Sequence, residues 1–540
     1  MTKFIVVTGG VLSGLGKGIA VASIGHLLSY QYKVIPVKLD GYLNLNPGTI
    51  NPIEHGEVFV LVDGGEVDMD FGHYERFMGV NCKSEWNLTM GKVYSEILKN
   101  EREGVYLGQT VQIIPHVSDY IKNYLYDIAK KENPDILIIE IGGTVGDIEN
   151  ELFLEAVRQM KEEIDNHSFM FIHLTYIPIL NAVNEQKSKP TQQSVNLLRE
   201  AGIQPDMIIG RCSELISDVV RKKISVFCGI KKDAVITGLD VDSVYKIPVV
   251  FYDEGLTKVI NQKLNINATP YLENWKKLII NLKDSNKRIK VGICGKYTKL
   301  EDSYASVLEA LRHCEANLRC KIDLEWIETS EDNIIDKLKS VDGVIVPGGF
   351  GSRGVEGKIE AIKYVRENDI PFLGLCFGMQ LAVVEFSRNI CGLENANSSE
   401  VDPDSKYFVV DLLPEQRKII EKSGTMRLGG QDVYIKENTK AYRLFGENIR
   451  RRFRHRYEVN PEYVELLTKN GLSFSGTTKS GNIMQLLELK DKKFFMAGQF
   501  HPELTSSLNK PDEMFLEFVK SCLTDYSSDS DQSPSHTYSS

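Results

Sequence analysis

The stretch Lys3-Phe-Ile-Val-Val-Thr-Gly-Gly-Val-Leu-Ser-Gly-Leu-Gly-Lys-Gly-Ile-Ala20 opens the chain and sets the fold expected for its first half. Its first part, Phe4 to Val7, is a short apolar and β-branched run, which is typical of a buried parallel strand. Glycines and Ser13 follow, then Lys17, and the run from Ile19 to Leu28 predicts a helix with an apolar face. A strand, a glycine-rich loop, a lysine and a helix form the layout of a phosphate-binding loop, in which backbone N–H groups face the anion.

The match to the usual phosphate-loop pattern, G-x-x-x-x-G-K-[ST], is imperfect. Val11 stands at the first glycine position, and Gly18 replaces the hydroxyl residue that binds Mg²⁺. The alternative interpretation is a glycine-rich turn between strand and helix that carries an exposed lysine. The loop therefore favours phosphate binding without deciding it alone.

Length and composition are those of a multidomain globular protein. The chain has 540 residues, more than one hydrophobic core usually supports. Its apolar content of 42% and charged content of 26% are ordinary for such proteins. The formal net charge of −10 argues against a surface that coats nucleic acid, although local lysines can still bind an anionic substrate.

Features that report on location favour the cytoplasm. No apolar run approaches the roughly 20 residues that span a membrane, and the N-terminus lacks the pattern of a signal peptide. The nine cysteines are scattered and contain no C-x-x-C pair, which suits a reducing compartment. We therefore expect a cytoplasmic enzyme with free thiols.

Charged residues lie near the ends of the strands predicted in the first half. One strand ends in Lys38 and Asp40, and an apolar strand places Glu140 near its carboxyl end. Open α/β sheets bind ligands at this edge, and a buried strand rarely carries an unpaired glutamate. The acidic stretch from Asp63 to Arg76 could add carboxylates that hold Mg²⁺ beside a phosphate loop, or it could be a solvated turn.

Two polar segments complete the first half. The irregular stretch from Gly41 to Gly56 contains His55. The segment from Glu185 to Gln193 combines lysines with hydroxyl and amide groups, which could hold a triphosphate and read a base. The alternative is a polar loop before a helix from Ser194 to Ala201. Alternating strands and helices up to about residue 260 predict a mostly parallel sheet with helices on both faces.

A cysteine between glycines is the most specific local signal in the second half. An apolar strand runs into Gly374-Leu-Cys376-Phe-Gly378, which is the spacing of a nucleophile elbow with cysteine in place of serine. The thiol would sit at a helix N-terminus, where the dipole favours the thiolate. Backbone N–H groups after Cys376 and in the Gly348-Gly349 turn could form an oxyanion hole. The alternative is a buried structural cysteine.

A thiol nucleophile needs a base and a group that orients the base. His501 and Glu503 supply both near the end of a predicted strand, because Glu503 can accept from one ring nitrogen while the other faces the thiol. His455 is the rival base, but its arginine neighbours would lower its basicity and suit a substrate carboxylate better. We therefore predict that Cys376, His501 and Glu503 are the catalytic group.

Further segments complete a pattern that runs along nearly the whole chain: 8–17, 55–60, 70–77, 141–149, 189–192, 346–351, 424–429 and 501–503. In this order they resemble the CTP synthase family of glutamine-dependent amidoligases. The resemblance implies an α/β fold with two doubly wound domains, an N-terminal P-loop-like (dethiobiotin-synthetase-like) synthetase domain and a C-terminal class I glutamine amidotransferase domain. It implies a synthetase domain at 1–266, a linker helix at 267–287, an amidotransferase domain at 288–524 and a disordered tail at 525–540.

The family resemblance also implies an activity. ATP would phosphorylate O4 of UTP, and ammonia from glutamine would pass through an internal channel and displace the phosphate to give CTP, the last step of de novo pyrimidine nucleotide synthesis. The implied cofactor is Mg²⁺, and the implied allosteric activator is GTP. The implied assembly is a homotetramer with UTP and CTP sites at subunit contacts and possible filaments, without nucleic acid or membrane partners.

Residue roles follow from the resemblance position by position. Lys17 and Lys38 would stabilise the transferred phosphoryl group, and Asp70 and Glu140 would hold Mg²⁺. The positions that match the ATP site are Gly14, Leu15, Gly16, Lys17, Gly18, Ile19, Asp70, Leu239, Asp240 and Val241. The positions that match the UTP and CTP sites are Ser13, Asp147, Ile148, Glu149, Lys187, Ser188, Lys189, Pro190, Thr191, Gln192 and Lys223.

The resemblance assigns the remaining roles in the second half and at the channel. The positions that match the glutamine site are Gly349, Phe377, Gly378, Met379, Gln380, Glu400 and Arg454. His55 matches a residue near the mouth of the ammonia channel. The GTP lid would contain Arg353, Gly354 and Glu356.

Two other functions compete with this one. A non-catalytic filament former could retain the fold, but the catalytic cysteine, histidine and glutamate and the phosphate-loop lysine are all present. Another P-loop amidoligase could use a different acid acceptor, but the segment from Lys187 to Gln192 favours UTP.

Overall fold

The computed structural model describes residues 2–50, 56–180, 185–285, 287–295, 301–331, 333–349, 351–412 and 426–523. His55, part of the 424–429 segment and the 525–540 tail lie outside these described residues. Two α/β units follow one another along the chain, as the sequence predicts. Among the residues described, no helix combines the length and the apolar character needed to cross a membrane.

The strands of the first unit form one large parallel sheet and two small hairpins. In chain order they are β1 (Lys3–Gly9), β2 (Val34–Asp40), β3 (Phe59–Val60), β4 (Glu66–Val67), β5 (Asn87–Thr89), β6 (Ile136–Ile141), β7 (Phe169–Tyr176), β8 (Ile179–Leu180), β9 (Glu185–Gln186), β10 (Met207–Cys212) and β11 (Val235–Leu239). The large sheet has the order β11-β10-β7-β1-β6-β2-β5, and its pairs are parallel. The hairpins are β3-β4 and β8-β9.

Helices cover this sheet and connect its strands. They are α1 (Lys17–Ser29), α2 (Asp70–Met78), α3 (Met90–Arg102), α4 (Ser118–Glu132), α5 (Glu151–Glu163), α6 (Lys189–Glu200), α7 (Asp218–Cys228), α8 (Ile247–Asp253), α9 (Leu256–Leu264) and α10 (Glu273–Lys283). The strand β6 is buried at every position, which fits a run that is apolar on both faces except at Glu140. The helix α1 is buried along most of its length and not on one face only.

One local prediction was wrong in the first unit. The helix α6 begins at Lys189, five residues before the predicted start at Ser194. Pro190 lies in its first turn, where a fixed φ and a missing N–H cost nothing. The segment interpreted as a loop is therefore partly the N-terminal turn of a helix.

The second unit begins after α10 and contains a sheet of mixed direction. Its strands are β12 (Lys287–Gly295), β13 (Cys320–Glu328), β14 (Gly343–Val346), β15 (Phe372–Leu375), β16 (Ala396–Ser398), β17 (Tyr407–Leu412), β18 (Arg427–Ile435), β19 (Asn448–His455), β20 (Tyr457–Val459), β21 (Ser473–Thr477), β22 (Met484–Glu488) and β23 (Phe495–Gly498). The large sheet has the order β13-β12-β14-β15-β23-β22-β21-β18-β19. The first five strands in this order, β13-β12-β14-β15-β23, are parallel. The remaining strands pair antiparallel, which was not predicted from the sequence.

Helices pack on both faces of the second sheet. They are α11 (Ala305–Leu318), α12 (Ile334–Leu338), α13 (Val355–Glu367), α14 (Phe377–Asn389), α15 (Lys440–Phe445), α16 (Pro461–Lys469) and α17 (Glu513–Cys522). Strands β16, β17 and β20 form a separate small sheet. The connecting helix α10 contacts the second unit, where the Asn281 side chain donates to the Ala316 carbonyl at 2.9 Å.

Candidate active site

Cys376 lies between β15 and α14 in a strained backbone conformation. Its φ is +50° and its ψ is −97°, a combination that non-glycine residues rarely adopt. A Cβ atom at Gly378 would lie 2.1 Å from the Val346 carbonyl oxygen, and one at Gly374 would lie 2.7 Å from the Ala497 Cβ. The flanking glycines are therefore required by close approach, and the turn has the shape expected of a nucleophile elbow.

His501 and Glu503 lie beside this turn, just after β23. His501 Nδ1 and Glu503 Oε1 are 2.7 Å apart. Burial by itself would lower the pKa of His501, but the Glu503 carboxylate and Cys376 beside it raise that pKa well above its usual value. With Nδ1 engaged by Glu503, Nε2 is the ring nitrogen left to exchange a proton with the thiol.

Backbone donors complete the surroundings of the thiol. Phe377 and Gly378 are the first residues of α14, so their N–H groups have no acceptor within the helix. Gly348 and Gly349 line the same cavity as Cys376 and His501, and this cavity has a volume of about 360 Å³. A Cβ at Gly348 would lie 2.9 Å from His501 Cε1, so the glycine lets the turn approach the base.

His455, the other candidate for the catalytic base, is paired with a different carboxylate. His455 is buried, and its Nε2 lies 2.8 Å from Glu458 Oε1. Arg427 contacts the same Glu458 oxygen at 2.8 Å. His455 therefore belongs to a buried polar group under the small sheet, and His501 is the histidine that shares the cavity with Cys376.

Of the polar residues assigned to glutamine by resemblance, Arg454 lines the cavity, whereas Gln380 and Glu400 are not among its lining residues. Gln380 donates to the Tyr457 carbonyl at 2.9 Å, and Glu400 accepts from the Gly351 N–H at 3.2 Å. Arg454 lines the cavity, and its Nε donates to Glu66 Oε1 of β4 at 2.8 Å. The arginine that could bind a substrate carboxylate thus also connects the two units.

The phosphate loop follows β1 as predicted. Val11 has a φ of +81°, so it takes the left-handed conformation that a glycine would supply at this position. Lys17 Nζ donates to the Gly143 carbonyl at 2.7 Å, and burial lowers the pKa of this lysine. A Cβ at Gly9 would lie 2.8 Å from Lys17 Cδ, so a glycine at position 9 leaves room for the aliphatic part of the lysine side chain.

Lys38 occupies the centre of an acidic group at the carboxyl end of β2. Its Nζ lies 3.6 Å from Asp40 Oδ1, 3.0 Å from Asp68 Oδ2 and 2.5 Å from Asp70 Oδ2. Burial alone would lower the pKa of Lys38, but these carboxylates hold it well above its usual value. The lysine therefore stays charged although its side chain is almost fully buried.

Asp70 and Glu140 fit the Mg²⁺ site that the family resemblance implies. Burial and the Asp70 charge raise the pKa of Glu140 to about 7, against the lowering effect of the Lys38 and Lys17 ammonium groups. A Cβ at Gly18 would lie 2.0 Å from Asp70 Oδ1, so the Asp70 carboxylate fills the space of the missing hydroxyl side chain. Two oxygen donors beside a phosphate loop suit Mg²⁺, which takes one or two carboxylates and substrate phosphates.

Six of the ten residues assigned to ATP line another cavity, at the start of α1. It has a volume of about 180 Å³, and its walls include Leu15, Gly16, Ile19, Leu239, Asp240 and Val241. Sequence reasoning missed Arg211, which also lines this cavity and contacts both the phosphate loop and the 239–241 segment. Its Nε donates to Asp240 Oδ1 at 2.8 Å, and its Nη1 donates to the Gly14 carbonyl at 2.9 Å. The sequence offered one signal for Arg211, since it is a charged residue just after a predicted strand. The strand β10 extends to Cys212, past the predicted end at Ile209, and therefore includes Arg211.

The segment assigned to UTP and CTP divides into exposed and buried side chains. Lys189 and Lys223 are exposed, and Lys187 lies close to Glu185, whose pKa it lowers. Ser188, Thr191 and Gln192 are buried, and Gln192 donates to Ser188 Oγ at 3.1 Å. Of the other assigned residues, Ser13, Ile148 and Glu149 are exposed, and Asp147 accepts from the Thr144 N–H at 2.9 Å.

The three residues assigned to the GTP lid lie at the start of α13. Gly354 precedes the helix with a φ of +72°, and Arg353 is exposed. Glu356 Oε2 accepts from Arg388 Nη1 of α14 at 2.7 Å. This ion pair ties the lid segment to the helix that follows the nucleophile.

The fold and these sites define an enzyme with two parts, a cysteine-dependent glutamine amidotransferase unit and a phosphate-loop synthetase unit. Residues 3–266 match the family model described as CTP synthase N-terminus, and residues 299–521 match the model described as glutamine amidotransferase class-I. The chain belongs to the CTP synthase family.

Curated relatives agree with this assignment over nearly the full length. The CTP synthase of Borreliella burgdorferi is 53% identical over 96% of this chain and 99% of its own. The CTP synthase of Archaeoglobus fulgidus is 49% identical over 96% of this chain and 98% of its own. The CTP synthase of Sulfurisphaera tokodaii is 52% identical, with coverages of 96% and 99%.

Proposed function

We propose that this protein is a glutamine-hydrolysing CTP synthase, which aminates UTP to CTP at the expense of ATP in de novo pyrimidine nucleotide synthesis. One observation carries the proposal. The cavity that holds Cys376 and His501 is also lined by Glu57, Val58 and Val60 of the synthetase unit, so the ammonia source opens toward the unit with the phosphate loop.

Glutamine hydrolysis begins at Cys376. The thiolate attacks the amide carbon and forms a C–S bond, while N–H groups of Gly349 and Phe377 stabilise the oxyanion. His501 gives its proton to the leaving amine as the C–N bond breaks, and ammonia departs. His501 then takes a proton from water, which attacks the thioester, breaks the C–S bond and releases glutamate. Glu503 holds the ring through Nδ1.

The substrate glutamine needs contacts at its α-amino and α-carboxylate groups as well as at the side-chain amide that reacts with Cys376. Glu400 and Arg454 suit its α-amino and α-carboxylate groups because they carry the opposite charges. Gln380 lies behind the nucleophile and helps to fix the start of α14 through the Tyr457 carbonyl. Gly378 and Met379 complete the turn that holds the substrate against Cys376.

CTP formation takes place at the phosphate loop. Transfer of the γ-phosphoryl group of ATP to O4 of UTP turns a poor leaving group into a good one, and ammonia then forms the C4–N bond as phosphate leaves. Lys17 and Lys38 stabilise the charge on the transferred group. Asp70 and Glu140 would hold Mg²⁺, which neutralises phosphate charge when bound. The adenine lies in the cavity formed by Leu15, Ile19 and the 239–241 segment.

UTP as acceptor, and CTP as feedback inhibitor, bind along the segments that carry Ser13, Asp147 to Glu149, Lys187 to Gln192 and Lys223. The exposed apolar residues Val219, Val226 and Phe227 on α7, beside Lys223, support a subunit contact here, as in a homotetramer that can stack into filaments.

We also propose the regulatory and cellular features that the family suggests. GTP activates through the lid at Arg353, Gly354 and Glu356, and ammonia passes His55. The nine free cysteines support a reducing, cytoplasmic location. The helix α10 between the two sheets supports a linker at 267–287, with a synthetase domain at 1–266 and an amidotransferase domain at 288–524.

One experiment tests the division of labour. CTP formation is followed with UTP, ATP and Mg²⁺, with either glutamine or ammonia as nitrogen source. We expect Cys376→Ala to abolish the glutamine-dependent reaction and to retain the ammonia-dependent one. Lys17→Ala should abolish CTP formation with both nitrogen sources and leave slow glutamine hydrolysis. Loss of ammonia-dependent synthesis in a folded Cys376→Ala protein would refute the two-site assignment.

A further inference from the structure

The cavity above the nucleophile is walled by both units. Cys376, His501 and Glu503 lie on its amidotransferase side. The opposite wall comes from the synthetase unit, including Gly48 and Glu57. Ammonia released at the thiol therefore enters a space whose walls belong to both units, and the shape of this space depends on how the two units contact each other.

Glu57 makes a direct contact across this boundary. Its Oε2 accepts from the Ser306 N–H at 2.9 Å and from the Ser306 hydroxyl. Ser306 is the second residue of α11, where a backbone N–H has no acceptor within its own helix. A carboxylate of the synthetase unit thus caps a helix of the amidotransferase unit, and its charge is favourable at that N-terminus.

A second synthetase residue supports the same contact. Arg76 Nη2 donates to the Ser306 Oγ at 2.5 Å, so the hydroxyl receives one hydrogen bond and gives another. Burial raises the pKa of Glu57 to about 7; Ser306 and Arg76 oppose this rise, and the Glu503 carboxylate adds to it. The capping carboxylate is therefore within electrostatic range of the group that orients the catalytic base.

We propose that Glu57 is a positioning residue for ammonia transfer, which holds the synthetase wall of the cavity against α11 through Ser306. The proposal rests on the proposed function, because it concerns the transfer between its two reactions. Without this cap, the wall separates from α11, water enters, and ammonia reaches bulk solvent before it reaches the phosphorylated UTP. Glu57 itself takes no part in either chemical step.

The test measures coupling in the full-length protein with saturating glutamine, ATP, UTP and Mg²⁺. The CTP formed per glutamine hydrolysed is determined together with free ammonia in solution. We expect Glu57→Ala to lower the ratio at least threefold and to raise free ammonia, with glutamine hydrolysis and ammonia-dependent CTP synthesis within twofold of the wild type. Glu57→Gln, which keeps an acceptor for the Ser306 N–H, should retain most of the ratio.

Controls separate the possible outcomes. Glu96→Ala removes a partly exposed carboxylate on α3, away from the cavity lining, and should leave the ratio unchanged. An unchanged ratio in Glu57→Ala overturns the proposal. If that variant loses both activities, Ser306→Pro decides, since proline in the first turn of α11 removes both the N–H and the hydroxyl that contact Glu57; a normal ratio there also overturns the proposal. Failure of the proposed function looks different, because the wild type would then form no CTP from ammonia.

Discussion

Two residues that depart from the usual phosphate-loop pattern have specific structural explanations. Val11 takes a φ of +81°, so the backbone keeps the shape of the absent glycine in spite of a β-branched side chain. Gly18 lies so close to Asp70 that a Cβ would meet Oδ1 at 2.0 Å. The space that a hydroxyl side chain would fill in this loop is thus taken by a carboxylate from α2.

Gly18→Ser should restore the usual pattern and still impair the enzyme. The added side chain must displace Asp70, which disturbs the carboxylates around Lys38 and the implied metal site. We expect ammonia-dependent CTP synthesis to fall at least tenfold. Glutamine hydrolysis measured without nucleotides in the same protein should stay within twofold, and it serves as the internal control. Wild-type CTP synthesis in this variant would contradict the steric explanation.

Glu503→Gln should change the pH profile of glutamine hydrolysis. The carboxylate raises the pKa of His501, so an amide at this position lets that pKa fall. The imidazolium that protonates the leaving amine is then lost at lower pH, and the alkaline limb of kcat/KM should move to lower pH. The shift is measured from kcat/KM of glutamine hydrolysis over a pH series from about 6 to 10. A lowered rate with an unmoved alkaline limb would argue against this role.

At the scale of elements, a buried ion pair with α13 holds α14, the helix that follows Cys376. Arg366 of α13 donates from Nε and Nη2 to the Glu385 carboxylate of α14, at distances from 2.8 to 3.1 Å. Glu385 is completely buried. The pair therefore fixes α14, and with it the Cys376 turn, relative to the segment that contains the implied GTP lid.

Arg366→Ala should destabilise the amidotransferase unit strongly. It leaves a buried carboxylate without its partner, which typically costs about 3–5 kcal/mol. Denaturant unfolding followed by fluorescence measures the loss. Lys363→Ala, an exposed position on the same helix, is the matched control and should cost well under about 1 kcal/mol. Equal effects of both variants would show that the ion pair contributes little.

At the scale of the whole molecule, a buried arginine joins the two units. Arg452 Nη2 of β19 donates to Glu75 Oε2 of α2 at 2.7 Å, and its Nη1 donates to the Val60 carbonyl at 3.0 Å. The guanidinium also lies over the Phe59 ring, 5.3 Å from its centroid. The side chains of Arg452 and Glu75 are almost inaccessible to solvent. The two units are therefore joined by an ion pair that is removed from water.

Arg452→Ala should uncouple the unfolding of the two units. The buried Glu75 loses its partner, and the interface becomes weaker by about 3–5 kcal/mol. We expect calorimetry to show two separated transitions or a broadened one. Arg450→Ala is the matched control on the same strand, because its pair with Asp432 is more than half exposed, at 56% and 53%. A single unchanged transition in Arg452→Ala would contradict this view of the interface.

Much of the first unit could be predicted from local patterns. The strands β1, β2, β6 and β7 are mostly apolar along their length, and buried parallel strands are typically built from such runs. The start of α6 was misplaced because its first turn is polar and only the later residues show helical periodicity. The antiparallel part of the second sheet was also missed, since strand direction depends on pairing partners far apart in the chain.

The sequence by itself determined the α/β class, the phosphate loop and the cysteine elbow, because each depends on residues close together in the chain. Only the tertiary structure decided which distant groups meet: Asp70 at Gly18, Arg211 between Gly14 and Asp240, and Glu57 on Ser306. These contacts join segments separated by tens to hundreds of residues, so no local spacing encodes them. The physical reason is that burial and charge pairing are properties of the packed chain, and a sequence pattern reports only the local conformations that packing brings together.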